Sequence, residues 1–291
     1  MVVVCCSIAV HAQMQVTYNG KELNYSTANI QYALTTNAQF SNSILFKQQQ
    51  KFWQPLVNNK VNLLETPYSF WLKIPVNTLL SNGAFEVLNI DNPHINFLKC
   101  WIIYKDSIVK EYPLTGDNLP FATRLLPTPS YVFHISSNLY KDCSIVLVTD
   151  KKYTRLDVPV QFYSAEYYVA YVQKQNLLMG IFLGLGLFLF VFNTYLFISL
   201  KQSLYMWYSI YLLTVITYVC TDLGLLFTYL YPHLPKINDI IRPSIFALSS
   251  FPLMFFFNNL LSIKTHFPKV YRFNKQILFC YLLLFIAGVA T

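Results

Sequence analysis

Between Pro67 and Tyr163 the apolar residues come in short bursts. "YSFWLKI", "AFEVLNI", "INFLKCWIIY", "YVFHI", "SIVLVT" and "DVPVQFYS" are rich in aromatic and β-branched residues. Turn residues separate them: Ser81-Asn82-Gly83, Asp91-Asn92-Pro93, Thr115-Gly116-Asp117-Asn118 and Pro127 to Ser130. Short strands at this spacing, with no helical period between them, predict an antiparallel all-β sandwich. Pro159 cannot donate to a ladder, which places the last strand at an edge or a bulge. Gln13 to Thr66 is polar, rich in Asn and Gln, and predicts a few short strands and loops.

After Tyr163 the pattern changes. Ser164 can cap a helix that begins "AEYYVAYVQKQN", with Glu166 in the first turn, where the helix dipole favours a carboxylate. No breaker separates this connecting helix, 164–176, from the uncharged run Leu177 to Leu200. That run exceeds the roughly 20 residues a membrane crossing needs. Further apolar runs span Leu204 to Tyr231 and Ile240 to Leu261, and a fourth starts at Gln276 and is still apolar at Thr291. Pro243 falls in the first turn of the third run, and Pro252 inside it predicts a kink. Tyr205, Trp207, Tyr208 and Tyr211 fit an aromatic belt. The expectation is a sandwich over 13–163 followed by a helical transmembrane bundle with spans 177–200, 204–231, 240–261 and 276–291. Four spans, the last reaching the final residue, suggest an incomplete bundle and a unit of a longer protein.

Composition supports this division. Charged residues make up 12% of the chain, against about 25% in an ordinary soluble domain. The first 175 residues carry 14 Lys+Arg and 11 Asp+Glu, and the remaining residues 7 and 2. The excess positive charge sits on the greasier part, which argues for loops beside a membrane and against a nucleic-acid surface. The start, "MVVVCCSIAVHAQ", has the apolar core of a signal peptide over 1–12, with Val10-His11-Ala12 as a cleavage site, although the basic leader is missing. A buried first strand is the alternative. Export of the sandwich makes the first span run outward to inward. The loop "SIKTHFPKVYRFNK", with four Lys/Arg and no acid, is then cytoplasmic, as the positive-inside rule requires. Cys100 and Cys143 belong to the exported part, where a disulfide between them is an open question.

Taken together, "FWLKI…LNIDNPHINFLKCWIIY…GDNLPFATRLLP…YVFHI" resembles the exported sensor module of bacterial seven-transmembrane receptors with diverse intracellular signalling modules. "FNTYLFISLKQSLYMWYSIYLL", "DLGLLFTYLYPHLP" and "FFNNLLSIKTHFPKVYR" resemble successive parts of that family's membrane domain. The resemblance implies a jelly-roll sensor likened to carbohydrate-binding domains, and an inner-membrane receptor with a periplasmic N-terminal domain. It also implies a cytoplasmic signalling module in cis, missing here. The implied partners are membrane lipid and an unidentified small-molecule or carbohydrate ligand, with a homodimer left open and no nucleic acid. No cofactor is implied. Many members carry a second basic residue before the "FVF"-like strand; "PTPSYVF" here lacks it.

Seven residues of the sandwich are candidates for ligand contact. Asp91, Asn92 and His94 flank an Asn-Pro, a pairing that favours a turn and leaves ligand contact as the alternative. Asp117 follows Gly116 in a second turn, and Arg124 could reach a sugar hydroxyl or a carboxylate. Trp71 and Trp101 could form a flat platform for a sugar, or fill the core. In the membrane part, Asp222 is the one acid within an expected span, and Asn193 could bond across helices. No spacing selects a carboxylate pair, a nucleophile with its base, or a metal site, so a binding module is expected here and not an enzyme. The rival readings are a transporter-associated capture protein and a membrane-anchored carbohydrate-binding protein without signalling output.

Overall fold

Alternation within the strands decides where each face packs. In β6 (Ser69–Pro75), Phe70, Leu72 and Ile74 point one way and Trp71 the other, because successive side chains leave opposite faces of a strand. The same alternation orders β8 (Phe97–Tyr104), where Leu98, Cys100 and Ile102 oppose Trp101 and Ile103. In β11 (Cys143–Asp150), Ile145 and Leu147 oppose Val146 and Val148. These strands are apolar on both faces, and both faces are covered.

The computed structural model describes residues 11–22, 30–35, 53–56, 60–62, 69–77, 85–105, 107–135, 142–150 and 157–290. The remaining strands are β1 (His11–Tyr18), β2 (Lys21–Glu22), β3 (Gln31–Thr35), β4 (Gln54–Pro55), β5 (Lys60–Asn62), β7 (Val87–Ile90), β9 (Ser107–Glu111), β10 (Tyr131–His134) and β12 (Asp157–Tyr163). One sheet runs β10-β7-β12-β1-β2, with β5 also on β1; the other runs β4-β3-β6-β11-β8-β9. Leu88, Ile90, Phe133, Val160 and Phe162 of the first sheet share one buried cluster with Leu72, Ile102 and Leu147 of the second. The two sheets therefore enclose a common core, as a sandwich does.

Two expectations need correction here, and one open question is answered. The sandwich is not wholly antiparallel, because β1 pairs with β12 in parallel, Gln13 opposite Asp157 through Tyr18 opposite Phe162. A parallel pair needs a long crossover, and here most of the domain lies between the two strands. Pro159 is not at an edge: β12 lies between β7 and β1. It is tolerated because the carbonyl of Pro159 faces the Asp91 amide at 3.3 Å, one residue past the end of β7. Its missing N–H points to that same side, where the ladder has already stopped. A Cys100–Cys143 bridge is ruled out by register. Cys100 stands opposite Leu147 and Cys143 opposite Tyr104. That places the two thiols roughly 13 Å apart along the ladder, beyond the ~7 Å reach of a disulfide. Neither is in a disulfide and both are buried, and burial pushes the Cys100 thiol above its ordinary range.

The helices are α1 (Ala165–Leu200), α2 (Ser203–Asp222), α3 (Leu225–Tyr229), α4 (Ile237–Leu260), α5 (Ile263–His266) and α6 (Pro268–Ala290). Among the described residues, α1, α2 and α4 are long and apolar enough to cross a membrane. On α1, Leu177, Leu185 and Phe188 are each at least 60% exposed, surface that lipid would cover. The apolar run Leu204–Tyr231, expected as one helix, is two. It stops at Asp222 because Gly224 adopts φ +72°, a left-handed conformation that ends helices and suits glycine. Pro243 lies in the second turn of α4 rather than the first. Trp207 and Tyr208 pack on Phe255 and Phe256 of α4, at 4.4 and 5.2 Å between ring centroids.

The chain forms two compact units. Met1–Tyr171 and Phe227–Pro235 make one, and Val172–Leu226 with Lys236–Thr291 the other. The strap Phe227–Pro235, which runs from within α3 to just before α4, thus belongs to the unit of the sandwich. The expected leader falls largely on residues 1–10, outside the described residues, and His11 and Ala12 open β1. Cys5-Cys6 and the Ser81-Asn82-Gly83 turn also lie outside them.

Candidate functional site

The corner after β7 is held by its own side chains. Asn92 Oδ1 accepts the His94 amide at 3.0 Å, an Asx turn, and Asn92 Nδ2 donates to the Asp157 carbonyl at 2.7 Å. The corner is thereby fastened to the start of β12. A second loop closes against it: the Asp117 amide donates to the Ile95 carbonyl at 2.8 Å, and Asn96 Nδ2 donates to Asp117 Oδ1 at 3.3 Å. Gly116 permits this approach, since a Cβ there would lie 2.0 Å from the Asn96 carbonyl oxygen. Asp117 is 2% exposed.

Arg124 enters between the two loops. Its Nη2 donates to the Pro93 carbonyl (3.3 Å) and to the Tyr131 hydroxyl (3.2 Å). Its Nη1 donates to the carbonyls of Thr128 (3.1 Å) and Pro129. The Tyr131 hydroxyl in turn lies 3.1 Å from the Ile95 carbonyl and 3.2 Å from that of Pro93. Three rings surround the guanidinium: Tyr131 at 4.3 Å, Phe121 at 4.9 Å and Phe227 at 5.6 Å. Burial pulls its pKa down, opposed by Tyr131 and Asp117; a guanidinium stays charged through such a shift. The same burial pushes the Tyr131 hydroxyl up. A cavity of about 10 Å³ beside Arg124, bordered by Thr115, Thr123 and Tyr131, has room for about one water.

Phe227 brings the strap into this cluster. Its ring meets Phe121 edge-to-face at 5.5 Å, and the Phe121 amide donates to the Pro232 carbonyl at 2.9 Å. Phe227 is 3% exposed. On the other side of the corner, Tyr171 of α1 donates its hydroxyl to Asp91 Oδ2 at 3.0 Å. Tyr163, at the end of β12, stacks with both Tyr167 and Tyr171 at 5.4 and 5.2 Å. Ser164 caps α1 as expected, its Oγ accepting the Tyr167 amide at 3.4 Å. One corner of the sandwich therefore holds the first turns of α1 through Asp91, and the strap through Arg124.

Five of the seven candidates, Asp91, Asn92, His94, Asp117 and Arg124, converge here. Trp71 and Trp101 lie elsewhere. They stack at 5.8 Å and 5° on the outward face of the other sheet and are 3% and 0% exposed, within a cluster that includes Ala33, Ile103, Val146 and Val148. Trp71 Nε1 donates to Thr35 Oγ1 at 2.9 Å. Neither ring offers an open platform. Tyr131 and Phe227 are the members of the cluster that sequence reasoning missed. Tyr131 could have been found by period 2 along "YVFH", which places it with Phe133 on the core face. Gly224 and Pro232, punctuating an apolar run, are the signal for the strap.

In the helical unit, Asp222 Oδ1 pairs with Arg242 Nη2 of α4 at 2.6 Å, both side chains about two-fifths exposed. Among the described residues, Asn193 bonds within its own helix. Its Nδ2 donates to the Leu189 carbonyl four residues back, at 2.8 Å, because that acceptor lies on its own helix surface. Among the described residues no three His, Cys, Asp or Glu side chains converge as metal ligands would.

Two family models match the chain. One, described as 7TMR-DISM extracellular 2, covers residues 27–164, and the other, described as 7TM diverse intracellular signalling, covers 175–291. No curated protein matches it. These descriptions and the three long apolar helices make this a membrane protein with an extracellular N-terminal domain.

Proposed function

The chain belongs to the seven-transmembrane receptors with diverse intracellular signalling, and on that premise we propose that its sandwich senses a small ligand and passes the signal through the helices to a cytoplasmic module. The observation that carries this reading is the corner Asp91–Ile95. It holds the start of α1 by the Tyr171–Asp91 bond, and the strap by Arg124, Phe121 and Phe227. α1 runs for 36 residues without a break, about 54 Å at 1.5 Å per residue, against a hydrocarbon core of about 30 Å. A shift at the corner would be delivered to both connections at once, and packed helices respond by moving between discrete arrangements. The ligand can bias them only by its different affinity for the two states.

The ligand class we favour is a small polar molecule of carbohydrate type, on the resemblance of the sandwich, and the setting is the cytoplasmic membrane of a bacterium. The test is a thermal-shift screen of the full chain in nanodiscs against neutral and acidic oligosaccharides. Distances between spin labels at Leu213 of α2 and Phe257 of α4 are then measured with each binder. A binder that raises Tm and changes the distance supports the receptor. A binder that raises Tm at unchanged distance would make the chain a capture protein.

A further inference from the structure

No Asp or Glu follows Asp239 in the chain, while Lys264, Lys269, Arg272 and Lys275 do. With the N-terminal domain outside, α1, α2 and α4 cross in turn, and α5 and the start of α6 lie on the cytoplasmic side. The first turns of α6 carry three stripes. Tyr271, Asn274 and Leu278 form the inner one: Asn274 Nδ2 donates to Asn258 Oδ1 of α4 at 3.0 Å, and Leu278 is buried. Lys269, Arg272 and Lys275 form a second stripe at three-residue spacing, all exposed, with Lys264 exposed on α5. Val270, Phe273 and Ile277 form a third, at 46%, 61% and 41% exposure, continued by Phe267 at 61%. At 100° per residue the basic and the apolar stripes flank the inner one and meet at Lys269 and Phe273, opposite the face that Asn274 turns to α4.

Water suits the cations and leaves Phe267 and Phe273 exposed; a hydrocarbon interior suits the rings and not the cations. The headgroup layer of a bilayer satisfies both, with rings among the glycerol and upper acyl groups and Lys or Arg on phosphates. We infer that Lys264–Ile277 is a binding surface for anionic phospholipid headgroups of the cytoplasmic leaflet. A zwitterionic headgroup offers the same phosphate with a compensating ammonium, so the surface discriminates by net charge. The exposed rings beside the cations favour lipid over an acidic protein surface, which would need no aromatic stripe. The inference rests on the orientation of the chain and is independent of any ligand of the sandwich.

The test is native mass spectrometry of the full chain released from nanodiscs containing equal phosphatidylglycerol and phosphatidylcholine. Wild type should retain phosphatidylglycerol over phosphatidylcholine by roughly tenfold or more, given the attraction expected from several cations near an anionic surface. Lys269→Gln, Arg272→Gln and Lys275→Gln together should bring the ratio close to one. Lys269→Arg with Lys275→Arg should keep it, and the single Arg272→Gln should lower it a few-fold without threatening insertion. Equal retention of the two lipids by wild type, or an unchanged preference in the triple variant, would overturn the inference and leave the basic stripe to an acidic protein surface.

Discussion

The two Trp residues and the Arg124 corner looked alike in the sequence, each a plausible ligand contact, and the structure separates them. Trp71 and Trp101 stack flat on each other in a closed cluster on the outward face of one sheet. In the fold they pack against each other and their buried neighbours. Arg124 spends its terminal N–H groups on three carbonyls and a hydroxyl, and its ring partners include Phe227 from a segment over a hundred residues away. In the fold it joins the Pro93 corner, the Thr128–Pro129 turn and the Phe227 segment. The lesson is that a large aromatic on a strand is decided by what covers its face, whereas a buried cation is decided by whose acceptors it collects.

That contrast can be broken most forcefully at the stack. Trp101→Ala should destabilise the sandwich by about 3–5 kcal/mol, as truncation of a buried aromatic does, measured by denaturant unfolding of the full chain. A variant of unchanged stability with altered sugar binding would return the rings to the platform reading. Arg124→Ala should lower stability by about 3 kcal/mol, because buried carbonyls lose charge-assisted donors. Arg124→Lys should recover little of it, since an ammonium cannot fork to four acceptors. Equal stability of the Lys variant and wild type would show that charge alone suffices. Smaller effects sharpen the corner itself. Asn92→Ala should lower stability by about 1–2 kcal/mol through loss of two hydrogen bonds. Asp91→Ala, at an exposed position, should lower it by less than about 1 kcal/mol while loosening α1 at Tyr171; the reverse order would move the fastening to Asp91. The smallest effect at neutral pH is alkaline. Burial raises the folded-state pKa of Tyr131 above its ordinary 10.0, so the folded state keeps this proton longer than the unfolded chain. The contribution is fully present below about pH 10 and is lost as pH rises beyond it. Tyr131→Phe should flatten that part of the stability–pH curve.

The fold class was legible because β6, β8 and β11 alternate strongly and the turns between strands are chemically distinct. The capped start of α1 was legible for the same reason: Ser164 and Glu166 stand where a cap and first-turn acid belong. The parallel pairing of β1 with β12 was not, since no local pattern says which distant strand lies alongside. Pro159 misled because the rule about edges applies to the N–H direction of one residue, and that direction depends on where β7 stops. At the candidate site, the Asp-Asn-Pro turn and the Gly116-Asp117 turn could be read from residue type, and the close approach of Gly116 to Asn96 could not. The convergence of Asp117, Arg124, Tyr131 and Phe227 could not, because it is made by tertiary contacts across the domain. The strap was hidden by hydrophobicity, which made Leu204–Tyr231 look like one helix although Gly224 divides it.

The central claim is that the strap is bound to the sensing unit, and one amide reports on it. The Phe121 N–H donates to the Pro232 carbonyl, whereas the nearby Leu98 N–H donates to Thr115 within the sandwich. Hydrogen exchange of the full chain in nanodiscs should show both amides protected in wild type. In Phe227→Ala, Phe121 should exchange at least about tenfold faster, matching a loss of 1.4 kcal/mol or more, while Leu98 stays slow. A Phe121 amide that exchanges freely in wild type, or one that is indifferent to Phe227→Ala, would contradict the account.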